Sequence, residues 1–144
     1  MNTNSENPKV GKMFENKVKQ WFENNMNLRF NLEHPIFIGK PAKPHKFDVA
    51  DVDENVVIEC KCYTWTDSGN IPSAKLMGLN QAIFYFSFLP SQTKKILVMA
   101  HAIHPKKSET LAEYYYRTHQ HLLGDVKIME FNIVTNKMHI IGED

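Results

Sequence analysis

The chain has only two cysteines, no long apolar run and almost no charge imbalance, and each shortage narrows what it can be. Cys60 and Cys62 stand two apart on one predicted strand, badly placed for an ordinary structural disulfide, so nothing points to an oxidising compartment. No stretch of about 18 uninterrupted apolar residues exists to span a bilayer. The opening MNTNSENPKV is polar where a secretory signal is hydrophobic, and the expectation is a cytoplasmic protein with no membrane partner. A net charge of +1 argues neither for nor against a polyanionic partner, because a local patch can act where the global sum is near zero. The lysines of GKPAKPHK, residues 39 to 46, and Lys94, Lys95, Lys106 and Lys107 read as ordinary solvated positions. No internal repeat, low-complexity segment or linker interrupts the chain.

What is present suffices for one core. With 144 residues, 42% of them hydrophobic, and nine phenylalanines, the chain can bury a single substantial interior and is too short for two ordinary domains. One domain over residues 1 to 144 is expected. Asn7 and Pro8 suit an N-cap and a first helical position, and Val10, Phe14, Val18 and Trp21 then recur at helical spacing, predicting a helix over 8 to 25. LRFNLEHPIFI, KFDVADV and VVIECKCYT read as strands, the last two joined by the turn-like DEN as a hairpin. A helix over 73 to 88 follows, then the strand ILVMAHAI, then a helix from Ser108, as N-cap, to Leu123, with Gly124 ending it. VKIMEFNIV and KMHII supply one or two further strands. This order predicts an α/β fold, a mixed sheet flanked by helices that starts antiparallel.

The strand VVIECKCYT raises a chemical question. Side chains alternate across a strand, so Glu59, Lys61 and Tyr63 share one face while Ile58 and Cys60 share the other. If the hairpin turn centres on Glu54 and Asn55, cross-strand partners sum to 109, placing Asp48 opposite Lys61 and on the face of Glu59. Two carboxylates brought together repel, and normally need a cation, a shared proton or water. Oxygen ligands favour Mg²⁺, which takes one or two carboxylates, keeps several waters and leaves room for phosphate oxygens. Metal-assisted phosphodiester hydrolysis is the chemistry such a set suggests, with Lys61 orienting the attacking water or stabilising the transition-state charge.

Asp48, followed eleven residues later by Glu59-Cys60-Lys61 across a hairpin that comes after an N-terminal helix, resembles the PD-(D/E)xK nuclease superfamily, the restriction-endonuclease-like fold. The resemblance implies an αβββαβ core over about residues 8 to 104, with 105 to 144 as a C-terminal extension. It also implies that Asp48, Glu59 and the backbone carbonyl of Cys60 hold Mg²⁺, or Mn²⁺ in its place, and that Lys61 assists the nucleophilic water. Two weaker motifs accompany it. Glu15 in GKMFENKV resembles the first-helix glutamate that approaches the metal, about 100° around the helix from Phe14. Gln81 and Tyr85 in QAIFY resemble the Gln-x-x-x-Tyr motif of RecB-type and resolvase-like branches, where Gln81 would join the catalytic set and Tyr85 would touch substrate. The sequence departs from the family at Phe47, where a proline often precedes the aspartate, and at His45, where RecB-type members carry glycine. The implied function is a divalent-metal-dependent nuclease acting on DNA in restriction, repair, junction resolution or a mobile element, with RNA left open as substrate. The alternative is a noncatalytic nucleic-acid-binding or assembly subunit that keeps the fold.

Other features receive plainer readings. The stretch TWTDSGNIPSAK, residues 64 to 75, is expected to border the active site, and Lys75, near a helix N-terminus, is a candidate phosphate contact. The predicted second helix is apolar on both sides: Leu76, Leu79, Ile83 and Phe86 form one stripe, and Met77, Phe84 and Phe88 lie roughly opposite. Both sides need cover, which a homodimer would supply. Cys-x-Cys lacks the paired spacing of a zinc site, the seven scattered histidines receive no role, and Tyr114, Tyr115 and Tyr116 read as packing with one exposed ring.

Overall fold

The computed structural model describes residues 8 to 142, so the expected cap at Asn7 lies outside the described residues. Helix α1, Pro8–Met26, buries Phe14, Val18 and Phe22, a strict i, i+4, i+8 stripe. Strands β1 (Phe30–Ile38), β2 (Lys43–Asp51) and β3 (Val56–Lys61) follow, then helix α2 (Ser73–Phe86), strand β4 (Lys94–Ala100), helix α3 (Leu111–His119), a 3₁₀ turn at Gln120–Leu122, and strands β5 (Lys127–Asn132) and β6 (Lys137–Ile140). The six strands form one mixed sheet in sequence order. The β1–β2, β2–β3 and β5–β6 pairs are antiparallel, and β3–β4 and β4–β5 are parallel. Among the described residues no helix is long and apolar enough to cross a membrane.

A core lies on each side of the sheet. Phe14, Val18 and Phe22 of α1 pack with Phe30, Val49, Val56, Ile58 and Phe131 on one side. Leu79 and Phe86 of α2 and Leu111 and Tyr115 of α3 pack with Phe47, Val57, Leu97 and Met99 on the other. Within β3, Val56, Ile58 and Cys60 belong to the first core and Val57 to the second. The strand is therefore covered on both faces, as a central parallel strand must be.

The β1–β2 hairpin changes face midway. Phe30 and Leu32 pack in the α1 core, but Ile36 and Ile38, of the same parity, pack in the α2–α3 core. On β2, Phe47 and Val49 likewise go to opposite cores. The reversal falls at Asp48 and at Glu33, which lies between the residues pairing with Val49 and Phe47 and has a left-handed φ of 48°. Regular alternation would have kept all these side chains on one face.

Three expectations are corrected. The β2–β3 pairs Val49↔Ile58 and Ala50↔Val57 sum to 107, not 109, so the loop centres one residue earlier and Asp48 falls opposite Glu59 rather than Lys61. The cause is local: Glu54 takes the left-handed position at φ 60°, and the buried Asp51 carboxylate accepts the Val56 N–H at 2.7 Å. A slip of two residues preserves parity. The N-cap of helix α3 is Thr110, two residues beyond the expected Ser108, because Thr110 and Glu113 form a capping box, satisfying two otherwise orphaned N–H groups at once. Lys95 is no solvated lysine; its ammonium is buried and donates to Asp125 Oδ2 at 2.8 Å and to the carbonyls of Pro90 and Thr93.

Helix α2 buries Leu79, Ala82 and Phe86 and leaves Met77 and Phe84 exposed, with Phe88 exposed just beyond its end.

Candidate active site

Where β2 turns over, its ladder with β3 stops at Val49↔Ile58, and two carboxylates take over the pairing. The N–H of Asp48 donates to Glu59 Oε1 at 2.9 Å, and the N–H of Cys60 donates to Asp48 Oδ2 at 2.8 Å. Each acid thus spends one oxygen on the neighbouring strand, and the other oxygen of each lies outside this clasp. Glu59 is 5% exposed. Burial, then the charge of Asp48, pushes its pKa up to about 8 against the opposing pull of the Asp48 N–H and Lys61. Burial also pushes up the Cys60 thiol.

Glu15 approaches the pair from α1. Its Oε1 is buried without a hydrogen-bond partner, with the Lys12 ammonium 3.5 Å away. Burial and then repulsion from Asp48 raise its pKa. Lys12 also pairs with Glu33 at the strand turnover, which ties α1 to the point where β2 reverses. The charge of Asp48 therefore acts on both Glu15 and Glu59, with Lys12 and Lys61 opposing it.

His45 reaches the pair from the opposite core. Its ring stacks on Tyr85 with centroids 3.8 Å apart and meets Phe47 edge-on at 4.6 Å. So held, it places Nε2, buried and without a hydrogen bond, 3.6 Å from Glu59 Oε2. Burial lowers the His45 pKa, against the opposing pull of the Asp48 charge.

The structure thus brings together Glu15, Asp48 and Glu59, with Lys61 close enough to lower the Glu59 pKa. Lys61 ends β3 with its ammonium 5.9 Å from the Tyr63 ring centroid, and Lys75, in the first turn of α2, lies 5.8 Å from the same ring. Tyr85 joins the site through His45. Gln81 is exposed on α2 and lines a shallow depression with Met77 and Phe84; no bond links it to the acids. The Cys60 N–H, rather than its carbonyl, is the group the structure ties to Asp48. Residue reading missed His45 because alternation places it across the strand from Asp48; its position three residues before the acid was the available signal.

Among the described residues no three His, Cys, Asp or Glu side chains are arranged to hold a metal ion. A dication here would rest on the two carboxylates Asp48 and Glu59, a number that suits Mg²⁺, since it keeps most of its water shell. A buried carboxyl beside a second acid, its pKa pushed up to about 8, fits such an ion, which would favour its charged form. No family model, curated protein or solved structure matches this chain.

Proposed function

We propose that the chain is a divalent-metal-dependent nuclease that hydrolyses DNA phosphodiester bonds, built on a restriction-endonuclease-like αβββαβ core. The observation that carries this reading is the Asp48–Glu59 clasp at the open end of the β2–β3 ladder, with Glu15 adding a third acid from α1. Asp48 and Glu59, with the Cys60 carbonyl, would hold Mg²⁺ or Mn²⁺, and Glu15 would stand behind them. Such an ion, when bound, supplies Lewis-acid polarisation of the phosphate and lowers the pKa of a nearby water.

The chain's own residues do the rest. The backbone N–H groups of Asp48 and Cys60 fix the two carboxylates, so little reorganisation is needed when substrate arrives. The Lys61 ammonium, on a rigid strand end, orients the water that adds to phosphorus and stabilises the negative charge that builds as the P–O bond to the leaving oxygen breaks. Lys75, in the first turn of α2, meets a flanking phosphate where the helix N-terminus also favours an anion. Tyr85 holds the His45 ring beside Glu59 by stacking on it.

The test is cleavage of labelled duplex, single-stranded and branched DNA, and of RNA, at low salt with Mg²⁺ or Mn²⁺. Wild type should cut at least one substrate, and Lys61→Ala and an EDTA control should not. Failure of the folded wild-type protein to cut any of them overturns the reading and leaves a noncatalytic nucleic-acid-binding subunit as the alternative.

A further inference from the structure

Strands β3 and β4 are parallel neighbours, so the chain after Lys61 and the chain after Ala100 leave the sheet at one edge, the edge of the candidate active site. The first carries Tyr63, Trp65 and a tight turn closed by Thr66 N–H to Asn70 O, Gly69 N–H to Thr66 O and Asn70 N–H to Thr66 Oγ1. The second carries His104 and leads into α3. The two segments are pinned together. Trp65 Nε1 donates to Ala102 O at 2.9 Å, and His104 Nε2 lies 3.1 Å from Gly69 O. The approach needs glycine at 69, where φ is 88° and a Cβ would stand 2.5 Å from His104 Nε2.

Between these segments and α3 lies a cleft of about 390 Å³ whose walls include Trp65, His104, Lys107, Tyr114 and Arg117. This volume lies in the range of small-molecule sites. Trp65 meets Tyr114 edge-on at 5.3 Å and His104 at 4.7 Å. The Arg117 guanidinium lies 5.5 Å from the Tyr114 ring centroid and is gripped through two bonds by Glu109, at 2.8 and 3.1 Å, so its position is set in advance. Exposed Lys107 adds positive charge at the wall. Tyr63, with the Lys61 and Lys75 ammoniums near its ring, belongs to the same edge. Cations and rings stand together at this strand end, Lys61 and Lys75 with Tyr63, and again in the cleft, Lys107 and Arg117 with Tyr114. That is the make-up of a path for single-stranded nucleic acid, in which cations follow the phosphates and rings take the bases. Paired bases of a duplex are stacked inside the helix and cannot enter a recessed cleft without unpairing.

We propose that this cleft binds an unpaired nucleotide of a single strand, its base against Tyr114 and the Arg117 plane and its phosphate at Lys107. That this strand adjoins the bond being cut rests on the nuclease reading above; the binding itself does not.

The two are separated by measuring binding in EDTA, where no cleavage is needed. Fluorescence anisotropy would compare a labelled single-stranded oligonucleotide, as DNA and as RNA, with the blunt duplex of the same sequence. Wild type should bind at least one single strand about tenfold more tightly than the duplex, equivalent to ~1.4 kcal/mol. Tyr114→Ala and Lys107→Ala should each lose roughly five- to tenfold of single-strand affinity with duplex affinity unchanged, and Tyr114→Phe, which keeps the ring, should bind as wild type. Lys107 is exposed, so its variant stays informative even if Tyr114→Ala fails to fold. Equal affinity for single strand and duplex, or wild-type single-strand binding by Lys107→Ala, overturns the proposal, even if the protein cuts duplex DNA. Selective single-strand binding by a protein that cuts nothing supports it and counts against the nuclease reading alone.

Discussion

Asp48 and Glu59 hold each other's strands: the Asp48 N–H donates to Glu59 Oε1, and Asp48 Oδ2 accepts from the N–H of Cys60, the residue after Glu59. Two carboxyls that repel when both are charged are kept together because each satisfies a backbone donor that the interrupted ladder leaves unpaired. The acids therefore hold the two strands together as well as forming the proposed metal site.

Asp48→Ala should then destabilise the protein by about 1–3 kcal/mol, the cost of stranding the Cys60 N–H. Asp48→Asn, which keeps an acceptor oxygen, should fold almost as well as wild type. Both should lose Mn²⁺ binding measured by calorimetric titration. Urea denaturation of the pair separates the two roles: equal stability of the alanine and asparagine variants would remove the clasp from the account.

Glu59 predicts a pH slope. Its pKa is pushed up to about 8, chiefly by burial. A carboxyl raised in the folded state contributes its stability at low pH and loses it as pH rises from the unfolded value through the folded one. Cation-free protein should therefore lose stability between about pH 4.5 and 8. Glu15, shifted the same way, adds to the loss. Glu59→Gln should match wild type at the acid end and melt higher than wild type at pH 8 in EDTA. Mg²⁺ should raise the Tm of wild type at pH 8 and leave the glutamine variant unmoved. Scanning calorimetry across that range reads both.

Much of this arrangement was legible in the sequence. The helical spacing of Phe14 and Val18, the alternation around Ile58 and the order of elements sufficed for a mixed sheet between helices, and the eleven-residue gap from Asp48 to Glu59 brought the acids together despite the wrong turn centre, because the error was even. What stayed hidden has physical reasons. The capping box Thr110-x-x-Glu113 was present to be found and outweighs the lone hydroxyl of Ser108. The face reversal at Glu33 and Asp48 was not: no glycine marks it, and nothing in residue type distinguishes a strand that turns over from one that does not. That reversal is also why His45 and Glu59 meet unannounced.

His45 owes its place to the stack on Tyr85, so the ring of Tyr85 matters and its hydroxyl does not. Tyr85→Phe should cleave substrate as wild type does. Tyr85→Ala frees the imidazole and should lose roughly tenfold or more in kcat, consistent with the cost of loosening a catalytic group, with substrate affinity nearly unchanged. A Tyr85→Phe variant as impaired as Tyr85→Ala would assign the hydroxyl a direct contact with substrate instead.

The strand reversal itself can be tested at Glu33. A non-glycine residue at a left-handed φ costs about 1 kcal/mol or more, which glycine avoids. In a regular strand the order is the opposite, with glycine about 0.5–1 kcal/mol worse than alanine. Glu33→Gly and Glu33→Ala both delete the pairing with Lys12, so that term cancels between them. Glu33→Gly should be the more stable of the two by about 1 kcal/mol in urea denaturation. The reverse order would mean a regular β1, with Phe47 and Val49 on one face, and would dissolve the geometry that carries Asp48 across to Glu59.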